Sequence, residues 1–509
     1  MMDFQLLLNR LAGLSDGERK TKVRATGPTG SEPMQRRLHE CLRTAIRAGE
    51  LVPGTRLPAS RVLAQELALA RNTVLYAYEQ LSTEGLIESS RRGTIVASLL
   101  PNRAAPGAAA CSAAPVLARR LARRVQSTLN AVPVLEGVGA FAAGVPALSD
   151  FPLRQWRRAL ERAWRGLSPA QLNYADPAGE AALREAIADH LRLARGVRCE
   201  PRQIFITDGT QASLDLCARA FADPGDKAWL ESPGYAGAAV ALRGGLLKLI
   251  GVAVDEEGIA PNMADWRQQC PRLIYTTPSH QYPTGAVQSL ARRLELIEQA
   301  RAHGALIIED DYDSEFRHDG PPLPAMQGLQ ADAPVVYLGT FSKTLFPGLR
   351  TGFMVVPEGL CTDLHRLLAR TAPRGRVADQ LALAEFMRNG QFGLHLRRMR
   401  RLYRQRRDAL VAALTAGVDA SVATVHGGSA GMHLALRFED ARLDDVAISA
   451  RALELGLIAP ALSLLSIGPR AQPWRGLLLG YAQVPADRMP ELVTRLLSCL
   501  PRGTARTAE

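Results

Sequence analysis

The sequence predicts a multidomain chain, an α+β winged helix-turn-helix head joined by a linker to a large α/β domain. Three observations predict it. Residues 31–97 carry helical apolar periodicity broken by short polar turns, then two short strand-like runs. Residues 98–138 are rich in Ala, Pro and Arg and poor in large apolar side chains. From residue 139 to 505, apolar runs of strand length alternate with helical segments, the pattern of a sheet covered by helices.

In the head, Leu38, Cys41, Leu42, Ala45 and Ile46 give one buried stripe to a first helix, and Gly49 and Pro53-Gly54 stop it. Ser60 reads as the N-cap of a second helix running through Leu67, with Leu63, Ala64 and Leu67 inward. A turn at residues 68–70 leads to a third helix opened by Arg71-Asn72-Thr73 and ended by Gly85. Two strand-like runs then flank Ser90-Arg91-Arg92-Gly93, a hairpin with a basic tip. In a winged helix-turn-helix the third helix enters the major groove of double-stranded DNA by its N-terminal end. That places Arg71, Asn72 and Thr73 at base edges or phosphates, and Arg91 and Arg92 at the backbone or minor groove.

The linker is punctuated by Pro101, Pro106, Pro115 and Pro133 and leaves room for one short helix near residues 116–129. Net charge is +12 over 509 residues. Residues 1–97 hold 14 Lys/Arg against 10 Asp/Glu, and residues 98–140 hold five Arg against one Glu, so positive charge is densest in the first quarter. A polyanion partner is expected there. Seven scattered cysteines include no CxxC pair, fitting a reducing cytoplasm with buried thiols and no metal centre. No apolar run is long enough to span a membrane, and Asp3 stands where a secretory signal carries basic charge. A cytoplasmic location follows as the expectation.

In the large domain, strands are expected at residues 203–207, 227–231, 273–276, 305–309, 335–338 and 352–356, near-continuous apolar runs that imply burial on both faces. The chemistry gathers at their ends. Thr340-Phe341-Ser342-Lys343-Thr344 is a hydroxyl-rich turn around a lysine, with Arg350 seven residues on. An aldehyde cofactor carrying a phosphate requires such a set: an amine to condense with the aldehyde, hydroxyls and N–H groups for phosphate oxygens, and a guanidinium to close the anion site. Asp208-Gly209-Thr210-Gln211 lies between a strand and a helix, where backbone N–H groups suit a phosphate. Tyr235 follows another strand and is placed to stack on a ring. Asp310 ends an intensely apolar strand, so its carboxylate needs a cation, which a protonated pyridine nitrogen supplies; Tyr312 projects to the same side.

Two resemblances join these readings. The string from Gly54 to Ala64, followed by Arg71-Asn72-Thr73-Val74, resembles the GntR family of transcriptional regulators, which implies DNA contacts at Arg56, Arg61 and Arg71. Residues from about 140 to 500 resemble the fold-type I aminotransferases, which implies a pyridoxal 5′-phosphate-dependent transferase-like α/β domain with a small C-terminal α/β subdomain. The pairing of the two, with Thr277-Pro278-Ser279-His280-Gln281-Tyr282-Pro283-Thr284-Gly285 and Glu309-Asp310-Asp311-Tyr312-Asp313-Ser314-Glu315-Phe316, resembles the MocR/GabR-type regulators. By that resemblance Lys343 carries pyridoxal 5′-phosphate, Asp310 pairs with the ring nitrogen, Tyr312 meets the ring hydroxyl and Tyr235 stacks. Thr210, Gln211, Thr340, Ser342 and Arg350 hold the phosphate. Tyr174 is similar to a tyrosine that reaches the neighbouring subunit's phosphate, which implies a homodimer.

Two departures bear on activity. Tyr282 stands where the enzymes carry Asn before Pro-Thr-Gly. In Leu477-Leu478-Leu479-Gly480-Tyr481, Leu478 stands where they carry the arginine that clamps an α-carboxylate, with Arg470 and Arg475 as candidate substitutes. The chain is therefore expected to be a regulator that senses a small amine or amino-acid-like effector, or the cofactor itself, and not an enzyme. A working aminotransferase with an accessory DNA-binding head is the alternative. The basic helix around Arg397–Arg407 reads as a packed helix with a solvated cationic face.

Overall fold

The computed structural model describes residues 33–90, 93–97, 139–320, 323–372, 375–468 and 474–501. Arg91, Arg92, Arg470 and the linker 98–138 lie outside the described residues. The chain divides into two compact units, Met1–Val116 and Leu117–Glu509.

The head packs three helices, α1 (Met34–Arg47), α2 (Ser60–Glu66) and α3 (Arg71–Thr83), against strands β1 (Arg56–Leu57), β2 (Ile87–Ser90) and β3 (Gly93–Val96). Leu38, Leu42 and Ile46 of α1 meet Val74, Ala77 and Leu81 of α3 in one apolar cluster. The Tyr78 hydroxyl donates to the Pro58 carbonyl at 2.8 Å, fixing α3 against the turn before α2. Two local readings change. Ser60 is the first helical residue, Ala59 takes the cap position, and no side chain caps α2. The wing is three-stranded in the order β1-β3-β2, because Arg56-Leu57 pairs with Ile95-Thr94. A two-residue strand has too little periodicity to be read from sequence.

In the larger unit, β4 (Ile204–Thr207), β5 (Lys227–Ser232), β6 (Lys248–Asp255), β7 (Gly258–Ile259), β8 (Leu273–Thr276), β9 (Leu306–Asp311), β10 (Val335–Thr340) and β11 (Gly352–Val355) form one sheet in the order β4-β11-β10-β9-β8-β5-β6-β7. Strands β10, β9, β8, β5 and β6 run parallel, while β11 is antiparallel to both its neighbours. Within the continuous apolar runs, successive residues go to opposite faces. Leu230, Tyr275, Ile308 and Val336 enter one core with Leu214 and Leu242, whereas Trp229, Ile274, Ile307 and Val335 enter another with Trp266 and Leu296. Strands β12 (Ala423–His426), β13 (His433–Phe438) and β14 (Gly476–Gly480) make a separate antiparallel sheet beside the long helix Gln391–Gly417. Among the described residues no helix is long and apolar enough to cross a membrane.

Candidate functional site

The C-terminal ends of β4, β5, β8, β9 and β10 lie at one edge of the sheet, where ligands of such sheets bind. Lys343 follows β10 in the one-turn helix Phe341–Thr344. Its Nζ donates to the Gly144 carbonyl at 2.7 Å. Gly144 has φ +75°, and a Cβ there would stand 2.9 Å from Nζ, so the loop can approach the lysine this closely only as glycine. Burial lowers the basicity of the Lys343 amine, the carboxylates of Asp313 and Asp310 raise it, and Arg350 lowers it again. The net shift is downward, toward the neutral amine that acts as a nucleophile.

Asp310 is the penultimate residue of β9, with 3% of its surface exposed. One oxygen, Oδ2, accepts from the Tyr275 hydroxyl at 2.8 Å; the other, Oδ1, is buried with no hydrogen-bond partner. Burial pushes the carboxyl up to about 7; the Tyr275 hydrogen bond lowers it, Asp311 raises it and Lys343 lowers it. Tyr275 was not legible beforehand: it reads as an ordinary aromatic in an apolar strand, and only its pairing beside β9 brings its hydroxyl to Asp310.

Three further aromatic rings pack on one another at the same end of the sheet. Tyr235 meets Tyr282 edge-on with centroids 5.7 Å apart, and Tyr282 meets Tyr312 edge-on at 6.2 Å. The Tyr312 hydroxyl donates to the His280 carbonyl at 3.0 Å. Beneath it, His280, Asp313 and His433 form a buried polar cluster, with His280 Nδ1 at 3.1 Å from both Asp313 oxygens. Gly431 belongs to the same packing, since a Cβ there would overlap the His280 ring and Asp313. The sequence carried no signal for this cluster, whose members come from three distant segments.

The residues expected at a phosphate follow β4, end or follow β10, or precede β11. Gly209 caps helix Thr210–Ala220 with φ +97°, and its missing Cβ leaves a space bordered by the Arg350 guanidinium 3.6 Å away. Thr210 is the first residue of that helix, and Gln211 Nε2 donates to the Gly237 carbonyl at 3.0 Å. The Thr340 hydroxyl accepts from the Ser342 N–H at 3.2 Å, and both residues are buried. Arg350 is exposed and sits in the left-handed backbone region. Tyr174 is 89% exposed, on the loop that follows the single turn Pro169–Leu172.

Leu478 lies on β14 with 0% exposure, clustered with Ala435, Leu462 and Leu465, and Tyr282 and Ala143 pack against that cluster. Its surroundings are apolar. Arg475 is exposed and donates to the Ala441 carbonyl, so it does not take the place of the missing guanidinium.

In the head, Arg56, Arg61, Arg71 and Asn72 are exposed and Thr73 is half-buried. The first turn of α3 holds no acidic residue and no side-chain cap, and the Thr73 N–H donates to the Ala70 carbonyl at 2.9 Å. The Arg56 side chain lies over Gly93 at the tip end of the wing, where Gly93 pairs with Ser90.

The family of gntR bacterial regulatory proteins matches residues 34–96, and the family of class I and II aminotransferases matches residues 138–461. The chain is 40% identical over 468 residues to the probable rhizopine catabolism regulatory protein MocR of Rhizobium meliloti, covering 92% of this chain and 93% of that one. The chain belongs to the MocR-type transcriptional regulators. Another relative of this kind, the pyridoxine biosynthesis transcriptional regulator PdxR of Corynebacterium glutamicum, is 30% identical across 94% of this chain and 98% of its own. The MocR-type large domain has the aminotransferase fold. It superposes on LysN, the α-aminoadipate aminotransferase of Thermus thermophilus solved with N-(5′-phosphopyridoxyl)-L-leucine, with TM-score 0.64 and 29% identity over 75% of this chain and 96% of that one. Kynurenine aminotransferase of Pyrococcus horikoshii, solved with PMP, gives TM-score 0.65 and 25% identity over 75% of this chain and 94% of that one.

Proposed function

We propose that the aminotransferase-like domain of this MocR-type regulator binds pyridoxal 5′-phosphate and senses a small primary amine, or the cofactor itself, while the head binds double-stranded operator DNA. The observation that carries the cofactor is the Asp310 carboxylate, buried with one oxygen unpaired and its protonation pushed up to about 7. A cation placed against Oδ1 relieves that cost, and a pyridinium nitrogen is a flat cation that the neighbouring tyrosines can also border.

The other residues fit the same group. Tyr235 stacks on the ring and Tyr312 meets its hydroxyl. Thr210, Gln211, Thr340, Ser342 and Arg350 hold the phosphate at the space beside Gly209. When bound, the cofactor supplies an aldehyde that Lys343 holds covalently and that an incoming primary amine can take over. Lys343, drawn toward its neutral form, would be the amine that attaches the cofactor, and the Gly144 carbonyl would hold its Nζ whenever it is unattached.

Sensing follows from that exchange. Lys343, the residue that would attach the cofactor, belongs to the segment after β10, so an effector that displaced it would act on that segment and could favour one of two arrangements of the protein. The apolar surroundings of Leu478 favour an effector not gripped there by an α-carboxylate. Tyr174, from its exposed loop, completes the phosphate site of a second copy, making the working unit a homodimer. Arg56, Arg61, Arg71, Asn72 and Thr73 contact the DNA, with Arg91 and Arg92 at the wing tip.

The deciding experiment is titration of the cofactor-loaded protein with amines and amino acids while following visible absorbance and operator affinity together. Amines that change both, without net conversion of a keto acid acceptor, support a sensor. Sustained transamination at ordinary enzymatic rates overturns it in favour of an aminotransferase with an accessory head.

A further inference from the structure

The basic helix Gln391–Gly417 has its own pocket. Arg397, Arg400, Arg401 and Arg404 recur at helical spacing along one face, and across from them stands Arg317. These five arginines line a cavity of about 450 Å³. The inward side of the same helix is apolar, with Phe392, Leu396, Met399, Tyr403 and Leu410 buried, so the helix is anchored by its other face.

Two of the guanidiniums are held in place. Arg400 donates to the carbonyl of Glu315 and to its carboxylate at 3.1 Å, and Arg404 donates to the His318 carbonyl. The Glu315 carboxylate is shared with His190 at 2.5 Å, so its charge is largely committed. Among the described residues Arg317, Arg397 and Arg401 form no ion pair, and Arg317 Nε is buried with no hydrogen-bond partner. Like charges at this spacing on a helix repel. Five converging guanidiniums with one shared carboxylate therefore leave a strong excess of positive charge and many unfilled N–H donors in one concave site.

We propose that this pocket binds a compact oligophosphate, a ligand whose several adjacent oxyanions engage guanidinium forks from both walls. A cavity of this volume accommodates a triphosphate-sized group. Convergence of the arginines from two elements favours a compact anion over the extended, convex backbone of a duplex. The linker cannot serve as the occupant on charge, since it is itself basic. The site uses none of the residues assigned to pyridoxal phosphate and stands or falls apart from that reading.

The test is calorimetric titration of the full-length protein with inorganic triphosphate and, separately, orthophosphate at physiological salt. Triphosphate is expected to bind about tenfold or more tightly than orthophosphate, and the exposed pair Arg397→Ala/Arg401→Ala to lose about tenfold or more of that affinity at an unchanged melting temperature. Arg401→Glu alone gives the same reading if the double variant is unstable. Equal affinity for the two anions, or undiminished triphosphate binding by the variants, overturns the proposal. So does a variant that keeps triphosphate binding but binds random duplex DNA more weakly and with a smaller salt slope, because the stripe is then a DNA-backbone contact.

Discussion

The head and the large domain solve opposite problems with polar side chains. In the head, Arg61, Arg71 and Asn72 are exposed on helices whose inward faces are apolar, so they stay solvated and cost the fold little. In the large domain, Asp310, Thr340 and Ser342 are buried, Lys343 is drawn from its ordinary basicity, and Asp310 Oδ1 has no partner at all. A surface site is built by leaving groups outward. A buried site is built by holding groups in an unfavourable state that a ligand relieves, and the fold must offset that cost elsewhere.

The difference can be broken most sharply at Lys343. Lys343→Ala should abolish the visible absorbance of covalently held pyridoxal phosphate, measured by spectrophotometry after reconstitution; surviving absorbance would move the attachment to another lysine. The next largest effect belongs to Asp310→Asn, which should weaken cofactor binding about a hundredfold, the cost of removing one partner of a buried ion pair. The same substitution should act in the opposite direction on the cofactor-free protein. The folded Asp310 carboxyl is raised from 3.8 to about 7, so the folded state holds the proton more tightly than the unfolded chain. Stability from this group is then fully present below about pH 4 and is lost as pH rises through about 7, by up to roughly 4 kcal/mol. The cofactor-free Asn variant should therefore melt higher than the parent at pH 8, with a flatter profile between pH 4 and 8. A parallel pair of profiles would mean that Asp310 is not strained.

On the head, Arg71→Ala should weaken operator binding by ~1–3 kcal/mol in fluorescence anisotropy, without altering cofactor absorbance. Unchanged affinity would take Arg71 out of the interface. The smallest expected effect is that of Tyr78→Phe, which removes the hydrogen bond to Pro58 and should lower head stability by about 1 kcal/mol in denaturant unfolding. A loss of DNA affinity with no loss of stability would instead give Tyr78 a direct role in recognition.

What was legible in the sequence follows the same division. The apolar stripes of α1 and α2 and the runs of β4, β5, β8, β9, β10 and β11 could be read because burial on one face or on both leaves a periodic record. The short strand β1 could not, being two residues long and defined by its partner β3. Around Lys343, the turn chemistry of Thr340–Thr344 and the glycine at 209 were visible as local motifs. Tyr275, Gly144 and the His280–Asp313–His433 cluster were not, because each owes its place to a contact across many residues of chain.

The sequence by itself determined the two domain types and the strands of the large sheet, and it singled out Lys343 and Asp310 as candidates, since each is written in local pattern. The tertiary structure decided which oxygen of Asp310 is paired and which is left over, and it sank Leu478 in an apolar cluster. It also brought five arginines to the lining of one open pocket. Those outcomes depend on distances between segments that are remote in the chain, and electrostatics and desolvation act through distance, not through sequence order.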